Sequence, residues 1–186
     1  MAVHLMRIIA GVAKGRALKG PRGPKTRPMM DRAKEAIFSM LGPQVPGSAV
    51  LDLYAGSGSL GLEALSRGAD SVVFVESRRE AARVIQDHID TVGLGGEVGV
   101  EAVEHWLGHG GGTFDLAFVD PPYDLPLPSV EEVLGRLVRW LTDGAVVVVH
   151  RRAGSGEVVG PAGLALVDRR RYGDAEITRL QKEAEG

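Results

Sequence analysis

The chain has 186 residues, a formal net charge of −2 and no cysteine. That length supports one domain with a sizeable core, and the missing thiols exclude disulfides and thiolate metal sites. No apolar run reaches the roughly 20 residues of a membrane helix, and the opening "MAVHLMRIIAG" has no signal-peptide pattern, so a cytoplasmic protein is expected.

Charge is spread unevenly along the chain. Residues 1–36 hold nine bases and two acids, a balance of +7, and the remainder sums to −9. A basic arm on an acidic body is the pattern of a surface that meets phosphates. Residues 7–18, "RIIAGVAKGRAL", read as two short strands around a glycine-bearing turn, and "GPRGPKTRP" at 20–28 as a loop or extended arm. From Asp31, a candidate N-cap, "DRAKEAIFSML" places Ala33, Ile37, Met40 and Leu41 at helical spacing.

Strands and helices then alternate. Strands are expected at 49–54, 72–76, 98–101, 114–119 and 145–150, and helices at 59–66, 78–92 and 129–141. Continuous β-branched runs between helices imply a parallel sheet covered on both faces. The tail "LALVDRRRYGDAEITRLQ" reads as two antiparallel strands around Tyr172-Gly173-Asp174. The expectation is an α/β fold with a mostly parallel seven-stranded sheet, a C-terminal antiparallel hairpin and a small basic N-terminal hairpin. It divides at residues 1–30 and 31–186.

"LDLYAGSGSLGLEAL" follows the first strand of the alternating region and opens a helix. Gly56-x-Gly58-x-x-Gly61 lets the backbone turn sharply and approach a ligand. Glu76, 20 positions beyond Gly56, can accept ribose hydroxyls. Such a loop indicates an adenosine-type cofactor. A nicotinamide dinucleotide wants its helix N-terminus clear for a pyrophosphate, whereas Asp52, four residues before Gly56, suits a cofactor carrying positive charge, such as S-adenosylmethionine (SAM).

"FDLAFVDPPYDLP" closes an apolar strand with Asp120-Pro121-Pro122-Tyr123. In a doubly wound sheet this strand lies beside the first, where ligands bind at the carboxyl ends. An exocyclic amine attacks poorly while its lone pair is delocalised into the base. Two acceptors on its two hydrogens overcome that: the Asp120 carboxylate, and the Pro121 carbonyl, whose direction the following proline fixes. Tyr123 offers a flat face for a base drawn out of its stack. The chemistry requires no metal.

These motifs resemble those of class I SAM-dependent methyltransferases, and more narrowly the RsmD family, which methylates guanine N2 in 16S ribosomal RNA with guanine 966 as its target. The resemblance rests on "RIIAGVAKGRAL", "RPMMDRAKEAIFSML", "LDLYAGSGSLGLEALSRGA", "FVDPPYD" and "RRYGD", which together span most of the chain. It implies a Rossmann-like methyltransferase domain over 31–186, with RNA contacts from the arm at 1–30. SAM would be held by Asp52, Tyr54, Ala55, Gly56 and Gly58, its ribose by Glu76 with Ser77, and its adenine by Glu101 with Ala102. Asp120, Pro121, Pro122 and Tyr123 would hold the guanine. Arg7, Lys14, Arg16, Arg27 and Arg32 would grip RNA within a small ribosomal subunit, and the enzyme would act as a monomer. Met29 and Met30 stand where the family has threonines, and Glu101 where it has Asp or Asn.

Three other functions fit parts of the pattern: an adenine-N6 or cytosine-N4 methyltransferase acting on DNA or another RNA, a nicotinamide-dependent dehydrogenase, and a non-catalytic RNA-binding protein. His105 and His109 are four apart, but two ligands do not make a zinc site and no acid is assigned to complete it. His88 and His150 are read as packing or partly exposed side chains rather than a base, Trp106 and Trp140 as helix-to-sheet core, and Arg169-Arg170-Arg171 either as a phosphate contact or as the alternating charges of an edge strand. The tract "GHGGG" at 108–112 is read as a loop.

Overall fold

The computed structural model describes residues 5–19 and 31–184. Arg27, Met29 and Met30 lie outside the described residues, as does the side chain of the expected cap Asp31. Strands β1 (Leu5–Arg7) and β2 (Ala17–Lys19) form an antiparallel pair, followed by helix α1 (Asp31–Leu41). The alternating region runs β3 (Ala49–Leu53), α2 (Ser59–Ser66), β4 (Ser71–Val75), α3 (Arg79–Val92), β5 (Glu97–Gly99), α4 (Val103–His109), β6 (Phe114–Val119), α5 (Leu127–Leu137), β7 (Leu141–Arg152), β8 (Leu164–Tyr172) and β9 (Ala175–Lys182). The seven-stranded sheet has the order β5-β4-β3-β6-β7-β9-β8, parallel except where β9 pairs antiparallel with β7 and β8.

Period-two alternation splits each central strand between two cores. Val50, Leu116, Phe118, Val146 and Val148 face α1, α2 and α3, whereas Leu51, Leu53, Ala117, Val119, Val147 and Val149 face α4 and α5. Complete burial of each such Val, Leu or Phe contributes about 1.5–3 kcal/mol. The third glycine of the loop serves this packing. A Cβ on Gly61 would lie 2.3 Å from Phe74 Cε1 and 2.8 Å from Val72 Cγ1, so only a glycine lets α2 approach β4 this closely.

Several elements depart from the sequence expectation, each for a visible reason. The β1–β2 strands end at Arg7 and Ala17, Ile8 N–H still donates across the hairpin to the Arg16 carbonyl at 3.0 Å, and the amides beyond it turn to α2. Ile9 N–H and Ala10 N–H donate to the Glu63 carboxylate at 2.8 and 3.0 Å, and Val12 N–H donates to the Ser66 carbonyl at 2.8 Å. The hairpin loop is thus pinned to α2, and Ile8, Ala13 and Leu18 join the core shared by α1, α2 and α3. Strand β7 runs to Arg152, two residues beyond expectation, because β9 supplies a partner as far as Ala175. Helix α5 ends at Leu137, and Leu141 already pairs with Phe114. Helix α4, for which the sequence reading set no bounds, forms over Val103–His109, with Trp106 buried near the Phe114 and Trp140 rings at centroid distances of 6.1 and 5.7 Å.

Among the described residues, no helix is long and apolar enough to cross a membrane.

Candidate active site

The carboxyl ends of β3, β4, β5 and β6 line one edge of the sheet, where the chain reverses its winding between β3 and β6. The loop after β3 takes the conformation its glycines permit. Gly56 and Gly58 have φ of 59° and 76°, and Tyr54 shares the left-handed region at 59°. A left-handed tyrosine is costly, and such strain is tolerated where surrounding contacts fix it. Here the half-buried Tyr54 hydroxyl donates to Glu104 Oε1 at 2.9 Å, tying the loop to α4. Burial and that carboxylate raise the phenol well above its ordinary value.

Glu76 is buried at the end of β4 and braces the loop from the other side. Its Oε2 accepts from Gly56 N–H at 2.9 Å and its Oε1 from Arg78 N–H at 2.9 Å. Carboxylate oxygens hold further lone pairs, so these bonds orient the group without saturating it. Ala55 is buried against this frame and Ser77 is exposed beside it. Asp52, read from the sequence as a carboxylate suited to a positively charged cofactor, lies within β3. It is buried under the loop, and its Oδ2 accepts from Gly61 N–H at 2.9 Å, fixing the first turn of α2 to β3. Burial pushes its carboxyl well above the usual range, and the negative charges of Asp120 and Glu76 add to the shift.

Asp120 follows β6 directly, with its amide 3.4 Å from the Leu53 carbonyl. Its Oδ1 accepts from His150 Nδ1 at 2.8 Å. His150 is buried on β7, and the sequence reading of it as a packing residue missed this contact. Burial opposes the charged imidazole, yet the Asp120 carboxylate, with Asp174 as a lesser contributor, raises it above its ordinary value. Among the described residues, His150 Nε2 has no hydrogen-bond partner and is buried. The Tyr123 ring is 44% exposed and meets the His150 ring edge-on at 6.2 Å. Arg151, buried on β7, donates from Nη2 to the Leu125 carbonyl at 3.0 Å and holds the turn that follows Pro122.

The remaining predicted residues fall into two groups. Glu101 and Ala102 lie beyond β5 at the start of α4. The Glu101 carboxylate contacts His105 Nδ1 and His109 Nε2, the latter at 2.8 Å, so it supplies the acid that the sequence reading withheld from the two histidines. His109 first and His105 second hold the Glu101 carboxyl below its usual range. Arg7, Lys14, Arg16 and Arg32 are exposed, Arg16 donating to the Thr91 carbonyl at 2.8 Å. Lys34, counted with the basic arm, is buried and ion-paired with Glu63 at 3.3 Å, so its charge faces inward. Arg169 and Arg170 pair with Glu157 and Asp168, as edge-strand charges do.

Residues 6–181 match the protein family described as "Conserved hypothetical protein 95". The chain is 34% identical over 184 residues to ribosomal RNA small subunit methyltransferase D of Escherichia coli (strain K12), covering 97% of this chain and 92% of that relative. The solved structure described as "Putative methyltransferase yhhF from Escherichia coli" superposes with a TM-score of 0.87 at 33% identity, covering 97% of this chain and 99% of the other. At 13% identity, the fold extends to a crystal structure described as "SMU.776, a putative methyltransferase complexed with SAH", with a TM-score of 0.69 over 81% of this chain and 49% of that one.

Proposed function

The chain belongs to the family described as Conserved hypothetical protein 95, the RsmD methyltransferases, and from that membership we propose that it moves a methyl group from SAM to the exocyclic N2 amine of a guanine in 16S ribosomal RNA. The observation that carries this reading is Asp120. It stands at the end of β6, beside β3 and its glycine loop, with one oxygen held by a buried histidine.

The residues at the sheet edge suit SAM. The carboxylates of Glu76 and Asp120 follow β4 and β6 at this edge of the sheet, and their charge suits a positively charged ligand. Glu76 with Ser77 would take the ribose hydroxyls, Tyr54, Ala55, Gly56 and Gly58 would cradle the amino-acid end, and Glu101 with Ala102 would face the adenine. Asp52 would act from beneath, by holding the loop. SAM supplies an electrophilic methyl carbon on a positively charged sulfur.

The chain's own groups prepare the amine. Asp120 accepts one N2 hydrogen and the Pro121 carbonyl the other, which frees the nitrogen lone pair from the ring. Pro122 stiffens the turn, and Tyr123 stacks on the displaced guanine. As the new N–C bond forms and the C–S bond breaks with its electron pair on sulfur, the nitrogen becomes cationic. Asp120 stabilises that charge and takes the departing proton, with His150 holding the carboxylate in place. Arg7, Lys14, Arg16 and Arg32 would contact RNA phosphates, as would Arg27, which lies outside the described residues.

The test is transfer of radiolabelled methyl groups from SAM to small ribosomal subunits, naked 16S RNA, transfer RNA and DNA in parallel, followed by nucleoside analysis. N2-methylguanosine in subunits or 16S RNA is expected. Label in DNA alone, or on adenine N6 or cytosine N4, would overturn the substrate assignment.

A further inference from the structure

Beside the proposed cofactor region, three side chains converge that the methyl-transfer reading does not need together. Helix α4 carries His105 and His109 one turn apart, with ring centroids 4.7 Å apart, and Glu101 precedes His105 by four residues. His109 Nε2 is 3.3 Å from His105 Nδ1 and 2.8 Å from Glu101 Oε2, and His105 Nδ1 also meets Glu101 Oε2. One potential ligand atom from each residue lies within 4.8 Å of the others.

From this geometry we infer that Glu101, His105 and His109 form a binding site for a divalent transition cation of the zinc class. Metal–nitrogen bonds of about 2.0–2.1 Å in a tetrahedron set neighbouring ligand atoms roughly 3.3 Å apart, and the two imidazole nitrogens already stand at 3.3 Å. Two nitrogens and one carboxylate oxygen select Zn²⁺, Co²⁺ or Ni²⁺ over Mg²⁺ and Ca²⁺, which take oxygen sets. The side chains of His105 and His109 are 72% and 55% exposed, so a cation reaches them from solvent and water completes its coordination. A carboxylate bridging two imidazoles is held there by shared protons, and a cation of the same sign takes their place. The site stands independently of the methylation substrate.

The experiment uses the full chain, without an added polyhistidine segment, titrated with Co²⁺ and followed by visible absorption. The expected result is a four-coordinate cobalt spectrum that saturates at one ion per chain and is displaced by Zn²⁺. The His105→Ala/His109→Ala pair abolishes it, and Glu101→Gln weakens binding by at least about tenfold, the loss typical of removing even an outer partner of a ligand. Because both histidines are exposed, circular dichroism should show the variants folded. No cobalt spectrum, a spectrum that survives in the double-histidine variant, or undiminished affinity in Glu101→Gln would each overturn the assignment. Since the readout is binding alone, failure of methyl transfer would leave this result intact.

Discussion

Replacing Asp120 with alanine is expected to lower methyl transfer by roughly 10²- to 10⁴-fold, the range for a positioned acid–base group. S-adenosylhomocysteine binding should stay within about tenfold, or 1.4 kcal/mol, of the unaltered chain. The split follows from position. Asp120 terminates β6, whereas the bonds that shape the glycine loop come from Glu76 and Asp52. Asp120→Asn should be nearly as impaired, because an amide keeps the shape but carries no charge to offset the developing cation. Single-turnover methylation beside calorimetry of the cofactor product separates the outcomes. Retained turnover in Asp120→Ala would end the assignment, and equal loss of turnover and binding would make Asp120 a cofactor residue.

His150 adds a pH dependence to the same pair. Its folded-state value is raised by Asp120 against the opposing effect of burial. A raised value means that the contact stabilises the fold fully below the ordinary imidazole value near 6.5, and that this is lost as pH rises through the folded value. The melting-temperature difference between the unaltered chain and His150→Ala should therefore be larger in mild acid than in mild base. If the gap is flat across that window, the imidazole does not titrate against Asp120. Through lost alignment of the carboxylate, the same variant should slow transfer by about 10- to 100-fold while cofactor affinity holds.

What could be read from the sequence depended on how local the cause was. Helix α2 begins and ends as expected because Gly58 before it and the Arg67-Gly68 end are adjacent in the chain, and β6 keeps its predicted bounds because an apolar run meets Asp-Pro-Pro. The parallel sheet followed from apolar strands alternating with helices, and the positions of Asp120 and Glu76 at its carboxyl edge from their places after β6 and β4. The sequence reading failed where a partner is remote. Nothing near His150 signals an acid thirty residues earlier, and Lys34 looks like one more base of the arm until Glu63 is seen against it. Glu101, His105 and His109 show the intermediate case. Their spacing of four was visible, but the glycines after His109 hid the helix that turns spacing into contact.

Removing the Glu63 carboxylate is expected to be among the most destabilising single changes in this chain. Glu63 is completely buried and joins three elements. Its Oε2 accepts from Ile9 N–H at 2.8 Å and lies 3.3 Å from Lys34 Nζ, and its Oε1 accepts from Ala10 N–H at 3.0 Å and Arg67 Nε at 2.9 Å. Lys34 Nζ also donates to the Arg7 carbonyl at 2.8 Å and to Ser59 Oγ at 3.2 Å. In Glu63→Ala the ammonium stays buried without its anion and two hairpin amides lose their acceptor, which should cost about 3–5 kcal/mol. For a chain of this size that lowers the melting temperature by roughly 6–20 °C. Lys34→Met should cost less, because Arg67 and the two amides still satisfy Glu63. The double variant Lys34→Met/Glu63→Ala should cost less than the two changes added, since no buried ammonium is then left without its anion. The hairpin carries Arg7, Lys14 and Arg16, so its release should also show as faster tryptic cleavage at Lys14 and Arg16 and weaker RNA binding, with cofactor binding less affected. Additive destabilisation would mean that Lys34 and Glu63 act separately, and an unchanged melting temperature in Glu63→Ala would remove the carboxylate from its place as the anchor of the hairpin.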